Sequence, residues 1–436
     1  MSRLLDATWW KRKIIKRVRT LWEYAAQLLQ CVGWGSEYVS DATLEDHLDM
    51  QYAAQQWINE SVLVRWDPVS GQDIVLPMGK LVAARKKGWL AEQHARANGV
   101  AKLAIEEGLT PWLVTITMAS RWHASGKGDR PSTEEAVRWH QTQWSRFRAA
   151  AKKNGLRLVG PKVVEPHKDG CPHWHLVVWT DDKKSAEQLL SIYFLDADDP
   201  GEPGAADHRI AWEQARSNMG AISYILKYAL KYSMETNAGP DSRARLAVNA
   251  WRSLYGLRKL DWFSVNIAQP KVGVWREARR ANHCPTSMND AIDAAGKGDW
   301  YAFTKACISN PLFLRSELVA NKHGEYTSRT IGIRDDRGSL ITTRSYNWKI
   351  MNVETWHRLQ SLCEGVQQGW SKNFAVPPAV FSWGGGPEVT DNHNKPRAPA
   401  QAADCDFGGD FEADFLGVPW HDSENSLDWD DCDPPF

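Results

Sequence analysis

Between Val163 and Thr180 the chain reads VVEPHKDGCPHWHLVVWT, and this stretch constrains the fold more than any other. A β-branched run turns at Asp169-Gly170 and returns through His173-Trp174-His175 into Leu176-Val177-Val178-Trp179. Asp-Gly between two such runs is a strong short-range signal for a β-hairpin. Side chains two apart on a strand share a face, so His173 and His175 point the same way. Once the arms pair, Glu165 is expected opposite the two histidines. Two imidazoles and a carboxylate on one face make a three-ligand set for a divalent metal, with open positions for substrate. A His-x-His alone is more often two ordinary surface or core histidines. An acidic residue upstream across a glycine turn, and an apolar strand directly after, favour the metal. A third ligand from elsewhere in the chain stays open. His167 and Asp169 read as residues of the turn.

The second informative stretch is Met219–Met234, MGAISYILKYALKYSM, which has the character of an apolar helix. Tyr224 and Tyr228 are four apart, hence separated by about 40° around the axis and about 6 Å along it. Such a pair is ordinarily core. Next to a metal site it acquires a second meaning, because a tyrosine hydroxyl with its pKa near ~10 needs help to act as a nucleophile. A divalent cation on a scissile phosphate supplies Lewis acidity and orients the phosphodiester for in-line attack. Lys227, as a cation, would stabilise phenolate and phosphorane charge; its bland alternative is a solvated lysine at the helix rim. Lys231 flanks the same face.

Charge separates along the chain. Residues 401–436 hold eleven Asp or Glu and no Lys or Arg, whereas the other 400 residues carry 53 basic against 42 acidic side chains. A basic body with a segregated acidic tail is a layout common among nucleic-acid proteins. The 24 tryptophans exceed the eleven tyrosines and eleven phenylalanines, and indoles stack on unpaired bases as well as filling cores. Seven scattered cysteines without a Cys-x-x-Cys pair suit a reducing compartment rather than a disulfide framework. With no signal-like or membrane-length apolar run, a soluble, intracellular protein is expected.

Residues 1–107 read as mainly helical, with Trp9–Trp22 alternating apolar and basic positions at helical spacing. That pattern fits a helix lying on DNA phosphates or a packed helix with a solvated basic face. Trp112–Met118 reads as a strand, followed by the basic loop Arg121–Ser132 and a helix from Thr133 to Ala151. Arg121, Lys127 and Arg130 in that loop, with Lys231, are the candidates for contacting DNA. Another helix and a basic strand-like run are expected over 240–280, and a mixed region over 287–355 ends in the strand-like Ser339–Ile350. From about Pro377 the composition predicts a disordered tail.

Thr115-Ile116-Thr117-Met118-Ala119-Ser120, then Glu165 through His175, then Tyr224-Ile225-Leu226-Lys227-Tyr228 resemble the three ordered motifs of the bacteriophage replication gene A protein family. That family belongs to the HUH endonucleases, which initiate rolling-circle replication. The resemblance runs from roughly residue 20 to 355, with further similarity at Trp251–Lys259 and Asn347–Ile350. It implies that His173, His175 and Glu165 bind Mg or Mn and that Tyr224 and Tyr228 are nucleophiles. It also implies nicking of one strand at an origin, a 5′-phosphotyrosine adduct, a 3′-hydroxyl primer and later rejoining. Met118-Ala119 stands where the family commonly has Cys-Pro, on a strand expected to support the metal site from beneath.

The expected architecture is α+β. A central antiparallel sheet carries the His-x-His strand with the tyrosine helix packed on it, beside an N-terminal helical region and a disordered acidic tail. Domain boundaries are expected at 1–107, 108–235 for the endonuclease core, 236–355 for an α/β region and 356–436 for linker and tail. The substrate would be single-stranded or extruded origin DNA. No G-x-x-x-x-G-K-[ST] motif occurs, so a host helicase is expected as partner. The ending Leu427–Phe436 resembles the acidic tip of bacterial single-stranded-DNA-binding proteins. Asp430, Asp431, Pro435 and Phe436 are therefore candidates for recruiting a host factor. Rival readings are a two-tyrosine transposase, a plasmid mobilisation relaxase, or a non-enzymatic DNA-binding regulator with structural metal.

Overall fold

A computed structural model describes residues 3–67, 72–124, 130–231, 242–281, 285–344 and 348–362. These divide into two compact units, residues 3–54 with 90–344, and residues 55–89 with 348–362. The chain opens with helices α1 (Ala7–Leu28) and α2 (Asp41–Asn59), strands β1 (Ser61–Asp67) and β2 (Gln72–Pro77), and α3 (Met78–Glu106). Then come β3 (Thr110–Ile116), α4 (Thr133–Lys153), β4 (Leu158–Pro166), β5 (Pro172–Thr180) and α5 (Lys183–Phe194). A short α6 (Ala205–His208) precedes β6 (Ile210–Gln214), α7 (Asn218–Lys231), α8 (Ser242–Tyr255), β7 (Asp261–Val265) and α9 (Val272–Arg280). Helices α10 (Asn289–Gly296) and α11 (Trp300–Ser309) and strands β8 (Leu312–Ala320), β9 (Tyr326–Asp335), β10 (Leu340–Thr342) and β11 (Lys349–Asn352) complete it.

The larger unit is built on a five-stranded sheet in the order β6-β3-β5-β4-β7, antiparallel at every junction, so the two-histidine strand is central. Period-two alternation sorts its faces. Trp174, Leu176 and Val178 of β5 join Val114, Ile116, Leu158 and Val164 in the core that also takes Trp144, Phe147, Leu190 and Phe194 from α4 and α5. His173 and His175 lie on the opposite face, where α7 packs against β3, β4 and β5. Trp179 fixes the start of that helix by donating its indole N–H to Asn218 Oδ1 at 2.6 Å. The predicted α+β class with its central antiparallel sheet is therefore the observed one. The acidic tail lies outside the described residues.

Local chemistry explains two further features. Helix α4 starts at a capping box, with Ser132 accepting from the Glu135 amide and Glu135 accepting from the Ser132 amide. In β4, a Cβ on Gly160 would fall 1.8 Å from the carbonyl oxygen of Val177, so only glycine allows the strands to approach there.

Three elements differ from expectation. The hairpin β1–β2 interrupts the N-terminal region read as mainly helical, its short β-branched run hidden between long helices. The sheet continues past residue 235, since β7 pairs with β4 from Leu158↔Val265 to Lys162↔Asp261. The strand-like Ser339–Ile350 divides between two sheets, β10 pairing with β9 and β11 with β1. Among the described residues no helix is long and apolar enough to cross a membrane.

His140 of α4 is fully buried against Trp174 and Phe194, with neither ring nitrogen hydrogen-bonded. Burial, reinforced by the charges of Lys162 and Arg209, pushes its pKa down to about 3 from 6.5. The unfolded chain takes up this proton below pH 6.5 and the folded chain does not, so stability is lost as pH falls through that window. At pH 4.5 the loss is expected to be ~2–3 kcal/mol. His140→Leu should remove that part of the pH dependence in denaturant melts; an unchanged slope between pH 7 and 4.5 would contradict it.

Candidate metal and nucleophile site

Pairing of β4 with β5 sets Glu165 opposite His173 and Val163 opposite His175. One ligand atom from each of Glu165, His173 and His175 lies within 4.8 Å of the others. The two imidazole Nε2 atoms are 2.9 Å apart, and Glu165 Oε2 is 3.9 Å from His175 Nε2. Two nitrogens at that separation suit bonds of about 2.1 Å to one ion. Burial, reinforced by the imidazoles of His167, His175, His140 and His123, holds the His173 ring well below the ordinary imidazole range. It is therefore neutral at physiological pH, the form in which imidazole ligates. Two imidazoles and one carboxylate fit a divalent cation.

The neighbouring strand and helix orient His175. Its Nδ1 lies 3.3 Å from Thr115 Oγ1 on β3 and 3.4 Å from the Tyr224 hydroxyl on α7. Both are long for hydrogen bonds, yet they place an oxygen on the nitrogen away from the other ligands. That is the arrangement which fixes tautomer and ring angle in metal-bound histidines. Thr115 thus supports the site from the side, one strand over, rather than from beneath. Behind Glu165 sits Arg252 of α8, 3% exposed, with Nη2 4.0 Å from Glu165 Oε1 and 3.2 Å from the Val164 carbonyl it donates to. Sequence reasoning overlooked Arg252 as a site residue, although it falls within the Trp251–Lys259 similarity. Nothing local in sequence connects α8 to a strand some ninety residues earlier.

The turn is more than a connector. Five residues join Pro166 to Pro172, closed by the His167 amide donating to Cys171 O and the Gly170 amide to His167 O. Gly170 adopts φ +81°, where a Cβ would also crowd Tyr38 O. Asp169 accepts from His123 Nδ1 at 3.1 Å and from the Ala124 and Cys171 amides at 2.8 and 3.0 Å. Burial raises the Asp169 carboxyl, but the His123 bond and charge and these two amides outweigh it and hold it far below the usual carboxylate range. The His167 ring lies 4.2 Å from that of His173.

The remaining candidates separate. Tyr228 follows Tyr224 on α7 by one turn, and Lys227 is exposed on the same helix. Arg121 pairs with Asp198 at 2.6 Å and lies over the Trp122 ring. Arg130 was expected to face DNA. Instead it is buried and donates to the backbone carbonyls of Trp122 and Asp169, bracing the turn. Lys127, Asp430, Asp431, Pro435 and Phe436 lie outside the described residues, and so does the side chain of Lys231.

A paired-imidazole and carboxylate triad on the central strands of an antiparallel sheet, faced by a tyrosine-bearing helix, defines the class of site. The chain belongs to the bacteriophage replication gene A protein family, whose model matches residues 1–234. It is 26% identical over 386 residues to the replication protein of Haemophilus phage HP1, covering 80% of this chain and 48% of that protein. It is 24% identical over 401 residues to the replication gene A protein of Escherichia phage P2, with 80% and 51% covered. A probable replication endonuclease from a prophage-like region of Salmonella typhi is 28% identical over 303 residues, with 64% and 36% covered. The chain thus spans about half the length of the curated relatives it matches. No solved structure matches it.

Proposed function

We propose that this chain is a metal-dependent, site-specific DNA endonuclease that starts phage replication by tyrosine transesterification. The observation that carries this reading is the Tyr224 hydroxyl 3.4 Å from Nδ1 of His175, the imidazole whose Nε2 is 2.9 Å from that of His173. Family membership and the relatives named as replication endonucleases agree with it. His173, His175 and Glu165 would hold Mg or Mn. A cation held there supplies positive charge to a phosphodiester's non-bridging oxygens. Tyr224 attacks phosphorus, forming its P–O bond as the bond to the 3′ oxygen breaks. The phenolic proton is released to solvent and the departing 3′ oxygen takes one up. The resulting 5′-phosphotyrosine conserves a phosphodiester, so a 3′-hydroxyl can reverse the step and rejoin the strand. Tyr228, one turn along α7, provides a second nucleophile while the first is occupied. Exposed Lys227 supplies a cation on that helix.

The substrate is single-stranded or extruded origin DNA in the bacterial cytoplasm. A host helicase supplies unwinding, and the Pro435-Phe436 tip recruits a host replication factor. The test is incubation of the full chain with a single-stranded origin oligonucleotide and Mn. A covalent adduct mapping to Tyr224 or Tyr228, abolished by EDTA, is expected. Cleavage without an adduct, or an adduct formed in EDTA, would overturn the mechanism.

A further inference from the structure

Helix α1 is amphipathic the wrong way round. Its buried residues are Thr20, Glu23 and Gln27, all polar. Glu23 accepts from the hydroxyls of Ser40 and Thr43, and the Gln27 amide donates to Thr133 Oγ1 at 2.9 Å. Tyr24 donates to the Arg130 carbonyl at 2.8 Å. The apolar side faces outward, with Ile14 55%, Val18 43%, Leu21 47% and Trp22 72% exposed. These recur at helical spacing as one stripe, and contiguous apolar surface of this kind marks an interaction site. Lys11 lies on the same side and Arg12 at its edge, and among the described residues no carboxylate pairs with either. The stripe's occupant should therefore be both apolar and acidic. Of these four only Trp22 could stack on a base; Ile14, Val18 and Leu21 are aliphatic, and three aliphatic positions favour an apolar segment over nucleic acid.

We infer that the occupant is the chain's own acidic segment, residues 401–420. It contains Phe407, Phe411, Phe415, Leu416 and Trp420 among five carboxylates and no basic residue. The three phenylalanines fall four apart, the spacing with which an amphipathic segment presents anchors to an apolar helix face. The intervening residues 363–400 number about 38, a reach of up to ~125 Å at full stretch. Docking pairs the phenylalanines with the stripe and the carboxylates with Lys11 and Arg12. It also places negative charge over a basic face of the protein and leaves the Pro435-Phe436 tip free.

Zero-length carbodiimide coupling of the full chain tests this. Cross-links between Lys11 and Asp404–Asp414 are expected, confined to single chains when heavy- and light-isotope protein are mixed. Their yield should fall about tenfold or more in Ile14→Glu/Val18→Glu and in Phe411→Ser/Phe415→Ser. Both double variants change exposed or terminal side chains, so unchanged melting confirms that folding is intact. No such cross-links, or yields indifferent to both variants, would overturn the inference. Cross-links solely between heavy and light chains would overturn it in favour of a second copy. Protection of Lys11 by a single-stranded oligonucleotide, equal with and without the phenylalanines, would overturn it in favour of DNA.

Discussion

Tyr224→Phe is expected to lower strand cleavage by at least ~10³-fold, to weaken metal binding by no more than ~10-fold through the lost contact to His175, and to leave thermal stability within error of the parent. The substitution keeps the aromatic ring, whose centroid is 6.3 Å from that of His175, and removes only the hydroxyl 3.4 Å from Nδ1. A fall in activity with an unchanged fold would therefore locate the nucleophile rather than a structural role. Tyr228 complicates the single variant, because it is the second candidate nucleophile on the same helix. The full experiment adds Tyr228→Phe and the double variant and maps any adduct by mass spectrometry. Tyr224→Phe should lose the adduct at 224, and the double variant should show no cleavage. Cleavage by the double variant at more than a few per cent of the parent rate would mean that a different group attacks.

The site was readable in sequence where its geometry follows from strand and helix periodicity. His173 and His175 share a face because they are two apart on β5, and Glu165 faces them because the turn sets the register. Tyr224 needed only its helix and the sheet face left uncovered by α4 and α5. What sequence did not reveal depends on contacts between elements distant in the chain. Arg252 reaches Glu165 from 87 residues away, and Thr115 reaches His175 across 60. Arg130 looked like a phosphate ligand because a basic, glycine-containing loop is the usual place for one. Only folding shows its guanidinium turned inward onto Asp169 O. The split of Ser339–Ile350 between β10 and β11 has the same origin, since composition marks strand character and is blind to which sheet a residue joins.

Glu165 carries the second large expectation, because it stands both among the metal-binding candidates and beside a buried cation. Glu165→Ala should weaken Mn binding at least ~10²-fold in calorimetric titration, similar to His173→Ala and His175→Ala. It should also destabilise the fold by up to ~3 kcal/mol, since Arg252 is 3% exposed and loses the nearby carboxylate. The 4.0 Å separation is at the outer limit of an ion pair, which keeps that cost at the lower end. The two consequences separate in Glu165→Ala/Arg252→Met. Replacing both charges with apolar groups should recover part of the stability, because no uncompensated buried charge is left. Metal affinity should stay low, because the carboxylate is still gone. Glu165→Gln sharpens the distinction, keeping shape and one oxygen while removing the charge that a divalent cation favours. If Glu165→Ala retains parental Mn affinity while both histidine variants lose it, the hairpin provides two ligands and the third belongs to another element.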